Sequence, residues 1–241
     1  MLTILPVKDL PEIVEGADLA ELIAGAVDLE DGDVVCVAHK VVSKVEGRIV
    51  SLEGIEPSER ARELAGPGGD ARRLEVVLRE ATRIVRARPP LVIAETAHGF
   101  VCASAGVDAS NAPEPDTVVL LPEDPDASAA RLRSSLEERT GCRLGVIITD
   151  TFGRAWRRGI ANVAIGAAGI EVLRDLRGHH DPVGYELHAT VIALADEIAS
   201  AAELVMGKTE RVPAAILRGL DAAGQGAGKD LVMPAELDLF R

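Results

Sequence analysis

The feature that most restricts this chain is a series of short, uninterrupted apolar runs, at residues 34–37, 91–94, 117–121, 144–148 and 212–217, separated by segments with helical spacing. Runs of four to six apolar residues bounded by turn signals have the length and pattern of buried strands. Asp18-Leu19-Ala20-Glu21 has capping-box spacing and opens an amphipathic helix to about Val27, before Asp31-Gly32-Asp33 turns the chain into the first run. Residues 74–85 carry apolar positions at helical spacing, and Pro89-Pro90 ends that helix ahead of 91–94, whose hairpin partner is expected at 99–103. Asp124 can cap, and Pro125 open, a helix to Thr140 that Gly141 stops. Residues 163–170 form an Ala/Gly-rich apolar stretch that needs close neighbours, and 186–205 reads as one long helix. Helices and strands mix without strict β-α-β alternation, so the expected class is α/β or mixed α+β with a mixed sheet. One domain over residues 1–220 is expected. Residues 221–241 then form a Gly-rich C-terminal segment, with Gly224-Gln225-Gly226-Ala227-Gly228 as a flexible connector.

Composition removes several function classes. The net charge of −13 repels nucleic acid and anionic membrane alike, so an anionic substrate needs a local basic pocket. Aromatic residues are only 2% of the chain, too few for base-stacking platforms. Cys36, Cys102 and Cys142 are odd in number and widely spaced in apolar contexts, which favours buried thiols and a reducing cytoplasm. Neither an export signal nor a membrane-length apolar run is present, so a soluble cytoplasmic protein is expected. Gly228-Lys229 does not complete a phosphate-binding loop, because Ala223 and Asp230 stand where glycine and Ser or Thr are required.

Two polar segments break apolar runs and deliver an aspartate where a strand is expected to stop: Gly106-Val107-Asp108-Ala109-Ser110-Asn111 and Thr149-Asp150-Thr151-Phe152-Gly153-Arg154. Such carboxylates either cap turns or, with the hydroxyls beside them, ligate Mg²⁺ or Mn²⁺. Arg154, Arg157 and Arg158 follow at once, either as a solvated stretch or as a clamp for phosphate and carboxylate, with Trp156 as a wall. His39-Lys40-Val41-Val42-Ser43-Lys44 lies at the end of the first run, and its two lysines share a face if the segment is helical. His179-His180-Asp181 reads as a loop rather than a metal cluster.

Taken in order, Leu5-Pro6-Val7-Lys8, the stretch from Lys40 to Arg48, the two aspartate segments, Ala195-Asp196-Glu197 and Met206-Gly207-Lys208 resemble the coenzyme F-420:L-glutamate ligase family over nearly the whole chain. The resemblance implies a family-specific α/β fold without a P-loop, a homodimer, and a reaction that uses GTP and Mg²⁺ or Mn²⁺, with a K⁺ requirement left open. Its substrates would be the coenzyme F-420 precursor and L-glutamate. It implies metal ligation by Asp108, Asp150 and Thr151. Nucleotide contacts would come from Leu5, Pro6, Val7 and Lys8, from His39, Lys44 and Asn111, and from residues 206–213 with Met206, Gly207 and Lys208. One departure stands out: archaeal members have glutamine after the Met-Gly pair, where this chain has Lys208, and an ammonium cannot ligate a cation. Relatives in actinobacteria carry a flavin-reductase-like domain after the ligase domain, so this chain is expected to be a stand-alone ligase or the excised first domain.

The implied chemistry assigns catalytic roles to Asp108, Asp150 and Lys44, with Lys8 beside Lys44 on the triphosphate and Arg154, Arg157 and Arg158 on the acceptor substrate. Two other classes use the same residues: a metal-dependent phosphohydrolase and a noncatalytic GTP-binding regulator.

Overall fold

The computed structural model describes residues 1–239; Phe240 and Arg241, the end of the expected C-terminal segment, lie outside the described residues. The chain enters on strand β1 (Thr3–Val7) and turns into helix α1 (Leu19–Ala26), where the Asp18 side chain accepts the Glu21 N–H at 2.8 Å. Strand β2 (Val34–Ala38) runs straight into helix α2 (His39–Val45). An insertion follows, made of β3 (Ile49–Ser51), α3 (Glu59–Ala65), α4 (Ala71–Glu80), β4 (Ala81–Arg88), β5 (Leu91–Thr96), β6 (Val101–Ala103) and β7 (Thr117–Val119). Helix α5 (Pro125–Thr140) starts on the Asp124 cap and stops at a left-handed Gly141, as its sequence predicts. Strands β8 (Gly145–Arg154) and β9 (Arg157–Ala168) form a long hairpin. A short arm with β10 (Arg174–Asp175) and β11 (Val191–Ile192) leads to α6 (Leu194–Met206) and the last strand, β12 (Ala214–Arg218).

The main sheet has the order β1-β12-β2-β8-β9, with β2 and β8 parallel and the other neighbours antiparallel. Successive side chains of β2 and β8 alternate between two cores. Val35, Val37, Val146 and Ile148 face Leu19 and Ile23 of α1 and Leu132 and Leu136 of α5, whereas Val34, Cys36 and Ile147 face Ala195, Ile198 and Ala202 of α6. Strands covered on both faces cannot alternate polar with apolar, which is why they read as unbroken apolar runs. The insertion closes its own core around Leu64, Leu74, Val77, Val92 and Val118. Among the described residues no helix is long and apolar enough to cross a membrane.

Four expectations are corrected. Helix 74–85 stops at Glu80, and residues 81–88 form β4, paired with β5 through the Pro89-Pro90 turn. Thr82, Ile84 and Val85 favour a pleated strand once an antiparallel partner is available, and over so few residues their spacing also fits a helical face. The helix expected at 186–205 begins only at Leu194, because the β-branched Thr190-Val191-Ile192 segment carries β11 instead. Asp150 is not at the end of its strand, since β8 continues to Arg154. Finally, the Gly224–Gly228 stretch is docked rather than loose. Gly224 lies against the backbone of Ile170 and Glu171, Gly228 against Gly166, and the Gly228 N–H donates to Asp126 Oδ1 at 2.6 Å.

Candidate functional site

Sheet register brings the distant motifs together. Val7, Ala214, Val37 and Ile148 form one row across β1, β12, β2 and β8. The next residues along that edge are Lys8, Pro213, Ala38 and His39, then Thr149 and Asp150. β1 is parallel to β2 and β8, so three carboxyl ends open on the same side, the place where sheets of this kind bind ligands. Beyond Thr149 strand β8 has lost β2 as a neighbour and keeps only β9. Asp150 is therefore interior to its strand but stands at an open sheet edge. Asp9, next to Lys8, and Arg211, two residues before Pro213, have left-handed backbone (φ 60° and 57°), as has Asn111 (φ 56°), a strained geometry that concentrates at functional loops.

The first turn of α2 links the two aspartates. His39, 2% exposed, places Nε2 3.3 Å from Asp150 Oδ1, which also accepts the Thr151 N–H at 2.6 Å. The next residue, Lys40, donates to Asp108 Oδ2 at 2.6 Å and to Ser110 Oγ at 2.5 Å. Asp108 belongs to the insertion, so Lys40 bridges it to the main sheet. Ser110 completes the loop by donating its N–H to Asp108 Oδ1 at 2.7 Å and its hydroxyl to Oδ2 at 2.9 Å. Burial pushes the Asp108 carboxyl up, but the Lys40 and Ser110 hydrogen bonds outweigh it and hold the group below its ordinary value. The Cys102 thiol of β6 is pushed up to about 12, first by burial and then by the charge of Asp150.

Asp150 and Thr151 are consecutive in a strand and so face opposite sides of the sheet. Asp150 faces α2; Thr151 faces α6. The Thr151 hydroxyl donates to Asn162 Oδ1 at 2.7 Å, directly across the β8–β9 pair, and accepts from Lys208 Nζ at 2.7 Å.

The remaining candidates divide. Leu5, Pro6 and Val7 are residues of β1, with the Val7 side chain in the core, while Lys8 is exposed at the strand's end. Lys44 is largely buried and its Nζ meets Glu12 Oε1 at 2.6 Å, so although Lys40 and Lys44 share one helix they reach different carboxylates. Asn111 is exposed beside Ser110, and Met206 is buried at the end of α6. Gly207 follows with a φ of 62° that turns the chain towards Lys208. Arg154, Arg157 and Arg158 are exposed around the tip of the β8–β9 hairpin, with Trp156 exposed at the turn; Arg154 Nη2 donates to the Arg158 carbonyl at 3.0 Å. The sequence points to Ser110 as a hydroxyl beside Asp108 and to Lys40 as one of a lysine pair, but not to their pairing with Asp108, and it gives no role to Glu12, Asn162 and Glu203. A readable signal existed for Asn162, a lone amide inside the apolar run of β9, and for Glu203, a lone carboxylate in the apolar last turn of α6.

Among the described residues no group of three or more His, Cys, Asp or Glu side chains is placed to hold a metal ion. The site instead offers two separate carboxylates with hydroxyl neighbours. Both Asp150 contacts fall on Oδ1, so Oδ2 is the oxygen that could take a cation. Hard oxygen donors in such small number fit Mg²⁺ or Mn²⁺, which one or two carboxylates hold when substrate phosphates and water complete the shell.

Residues 8–219 match the family model described as F420-0:Gamma-glutamyl ligase. A protein of Methanopyrus kandleri named coenzyme F420:L-glutamate ligase is 51% identical, covering 100% of this chain and 98% of its own. Proteins of the same name from Archaeoglobus fulgidus and Methanocaldococcus jannaschii are 46% and 44% identical, covering 99% and 94% of this chain and 96% and 91% of theirs. An α/β sheet edge with carboxylates and cations, in a chain so related, makes this protein an enzyme of the ligase class. It belongs to the F420-0:gamma-glutamyl ligase family.

Proposed function

We propose that the protein is a GTP-dependent ligase that joins L-glutamate to the coenzyme F-420 precursor and then extends a γ-linked glutamate tail. The observation that carries this reading is the pairing of His39 with Asp150 and of Lys40 with Asp108, which unites both aspartates of the motifs at one sheet edge in a member of this family. An amide does not form from a free carboxylate without activation. Transfer of the γ-phosphoryl group of GTP to the acceptor carboxylate gives an acyl phosphate and GDP; the glutamate amine then attacks the acyl carbon and inorganic phosphate leaves.

Asp108 and Asp150 would hold a divalent cation, which supplies positive charge to the phosphate oxygens as they develop negative charge. His39 orients the Asp150 carboxylate, and Lys40 orients Asp108. Lys8, exposed at the end of β1, neutralises triphosphate charge, with Lys44 once Glu12 yields it. The exposed arginines Arg154, Arg157 and Arg158 suit the phosphodiester and carboxylates of the acceptor. A homodimer in the cytoplasm is part of the proposal; all three cysteines are free, as a reducing compartment allows.

The test is mass spectrometry of products from GTP, L-glutamate, Mn²⁺ and glutamate-free precursor, with and without K⁺, beside a GDP assay. Glutamate-dependent GDP release with a precursor gaining glutamate is the expected result. Glutamate-independent phosphate release would instead identify a phosphohydrolase, and GTP binding without turnover a regulator.

A further inference from the structure

The tip of the β8–β9 hairpin breaks three local rules at once. Strands β8 and β9 are joined by two residues, a connection that favours Asn-Gly or Asp-Gly, and this chain uses Ala155-Trp156. Trp156 takes the left-handed backbone (φ 54°) that suits glycine, an outlier for so bulky a side chain. Arg154 and Arg157 stand directly opposite each other in the strand register, where like charges repel. Local conflicts of this kind persist where function requires them.

What they hold in place is an aromatic plate beside a concentration of positive charge. Trp156 is 81% exposed, in a chain with only 2% aromatic residues. Among the described residues no carboxylate pairs with Arg154, Arg157 or Arg158, although the chain carries a net charge of −13. A hydrogen bond from Arg154 Nη2 to the Arg158 carbonyl holds the group together. Three guanidinium groups without carboxylates, in so acidic a protein, call for an anion from outside.

Side chains two apart on a strand share a face, so Asp150, Phe152 and Arg154 line one side of β8. Phe152 packs edge-on against Phe100, with 6.3 Å between ring centres. Four residues of strand span about 13 Å, which sets the arginines that far from Asp150, with Trp156 beyond them. A ligand extended along this face meets a carboxylate, an apolar ring, guanidinium groups and an indole, in that order. On the ligase reading above, on which this inference rests, the acceptor is a deazaflavin with a phosphodiester and a reacting carboxylate. We propose that Trp156 is a specificity-determining residue that stacks on the planar deazaflavin ring, while Arg154 and Arg157 take the phosphodiester and the carboxylate reaches the Asp150 end. An indole alone accepts any planar ring and a guanidinium any anion; together they select a planar ring that carries an anionic chain.

Trp156 is the only tryptophan, which gives the test its own signal. Titration of the full chain with glutamate-free precursor, in GDP and Mn²⁺, should quench its emission saturably and shift the deazaflavin absorption band. Trp156→Gly should lose the band shift and raise the acceptor KM about 5–150-fold, the range of base–aromatic stacks, with the GTP KM unchanged. Its melting temperature should equal or exceed that of wild type, because glycine adopts the left-handed backbone without strain. Trp156→Phe, which keeps a ring, should recover most of the acceptor KM. A wild-type acceptor KM in Trp156→Gly overturns the inference and leaves the ligase reading intact, as does a GTP KM that rises in step with it. A precursor that neither quenches nor shifts overturns the stacking site whether or not glutamate is joined. A band shift that Trp156→Gly abolishes, in a protein that never joins glutamate, keeps the stacking site and overturns the ligase reading.

Discussion

Lys40 Nζ lies 2.6 Å from Asp108 Oδ2, across the boundary between the main sheet and the insertion. Because His39, one residue earlier, meets Asp150, a single helical turn sets the positions of both aspartates. Lys40→Met removes the bridge while keeping most of the stem. Partners that orient ligating side chains are worth about 10–100-fold when removed, so glutamate-dependent GDP release should fall by about that factor. The melting temperature should move little, since partly exposed ion pairs contribute about 0–1 kcal/mol. Wild-type turnover in this variant would remove Lys40 from the site.

Asp150→Asn keeps an oxygen for the Thr151 N–H and the shape of the side chain, but loses the charge that a divalent cation requires. Turnover should fall by at least ~100-fold, with unfolding unchanged within a few degrees. Retained turnover at saturating Mn²⁺ would exclude Asp150 as a ligand.

How much of this was legible depended on distance along the chain. The Asp18 and Asp124 caps, Pro125 and the stop at Gly141 are local devices and were read correctly. The runs that became β2, β7, the first half of β8 and β12 were visible because burial on both faces leaves them apolar throughout. Residues 81–85 and 186–193 depart from the helical expectation because a few β-branched residues fit helical and strand spacing equally well until a partner strand decides. Asp150 was placed at a strand end because the sequence shows where apolar residues stop, not where the β9 partner stops. The Lys208 contacts were the least legible, since Thr151, Asn162, Glu203 and Lys208 meet only through strand register and the packing of α6.

Asp108 offers a pH test. Its folded value lies below the ordinary carboxylate value of about 3.9, so its contribution is fully present above that value and is lost as pH falls through the lowered folded one. The melting-temperature difference between wild type and Asp108→Asn should therefore be constant above about pH 5 and shrink below about pH 4. A difference that grows on acidification contradicts the Lys40 and Ser110 hydrogen bonds.

At the opposite end of β2, Asp33 is 1% exposed and takes a two-pronged contact from Arg218, with Nε to Oδ1 at 2.9 Å and Nη2 to Oδ2 at 2.7 Å. It also accepts the Glu30 N–H at 2.9 Å. Asp33→Ala leaves the guanidinium with only the exposed Glu30 carboxylate and the Asp28 carbonyl, and strands the Glu30 N–H, which should cost about 1–3 kcal/mol. For a chain of this size that is a fall of roughly 2–12 °C in melting temperature. Specific activity of the folded fraction should stay at the wild-type level, because the residue lies at the far end of the sheet from Asp150. Loss of activity without loss of stability would reverse this assignment.

Gly166 separates two close approaches. A Cβ there would collide with the carbonyl of Pro125 at the start of α5, and the Gly166 backbone also lies against Gly228. A backbone carbonyl cannot rotate out of the way as a side chain could, so Gly166→Ala must push α5 off β9 or shift β9 against the docked 224–228 segment. Overpacking of this kind costs about 1–3 kcal/mol, or roughly 2–12 °C in melting temperature. Gly153, near the hairpin tip, is the control: a Cβ there meets nothing within 4 Å, and Gly153→Ala should stay within about 0.5 kcal/mol of wild type. Limited proteolysis adds a second measure, because displacement of the docked segment should expose residues 221–239 to cleavage in Gly166→Ala alone. Equal melting and equal cleavage of the two variants would mean that the C-terminal segment is not seated on β9 as described.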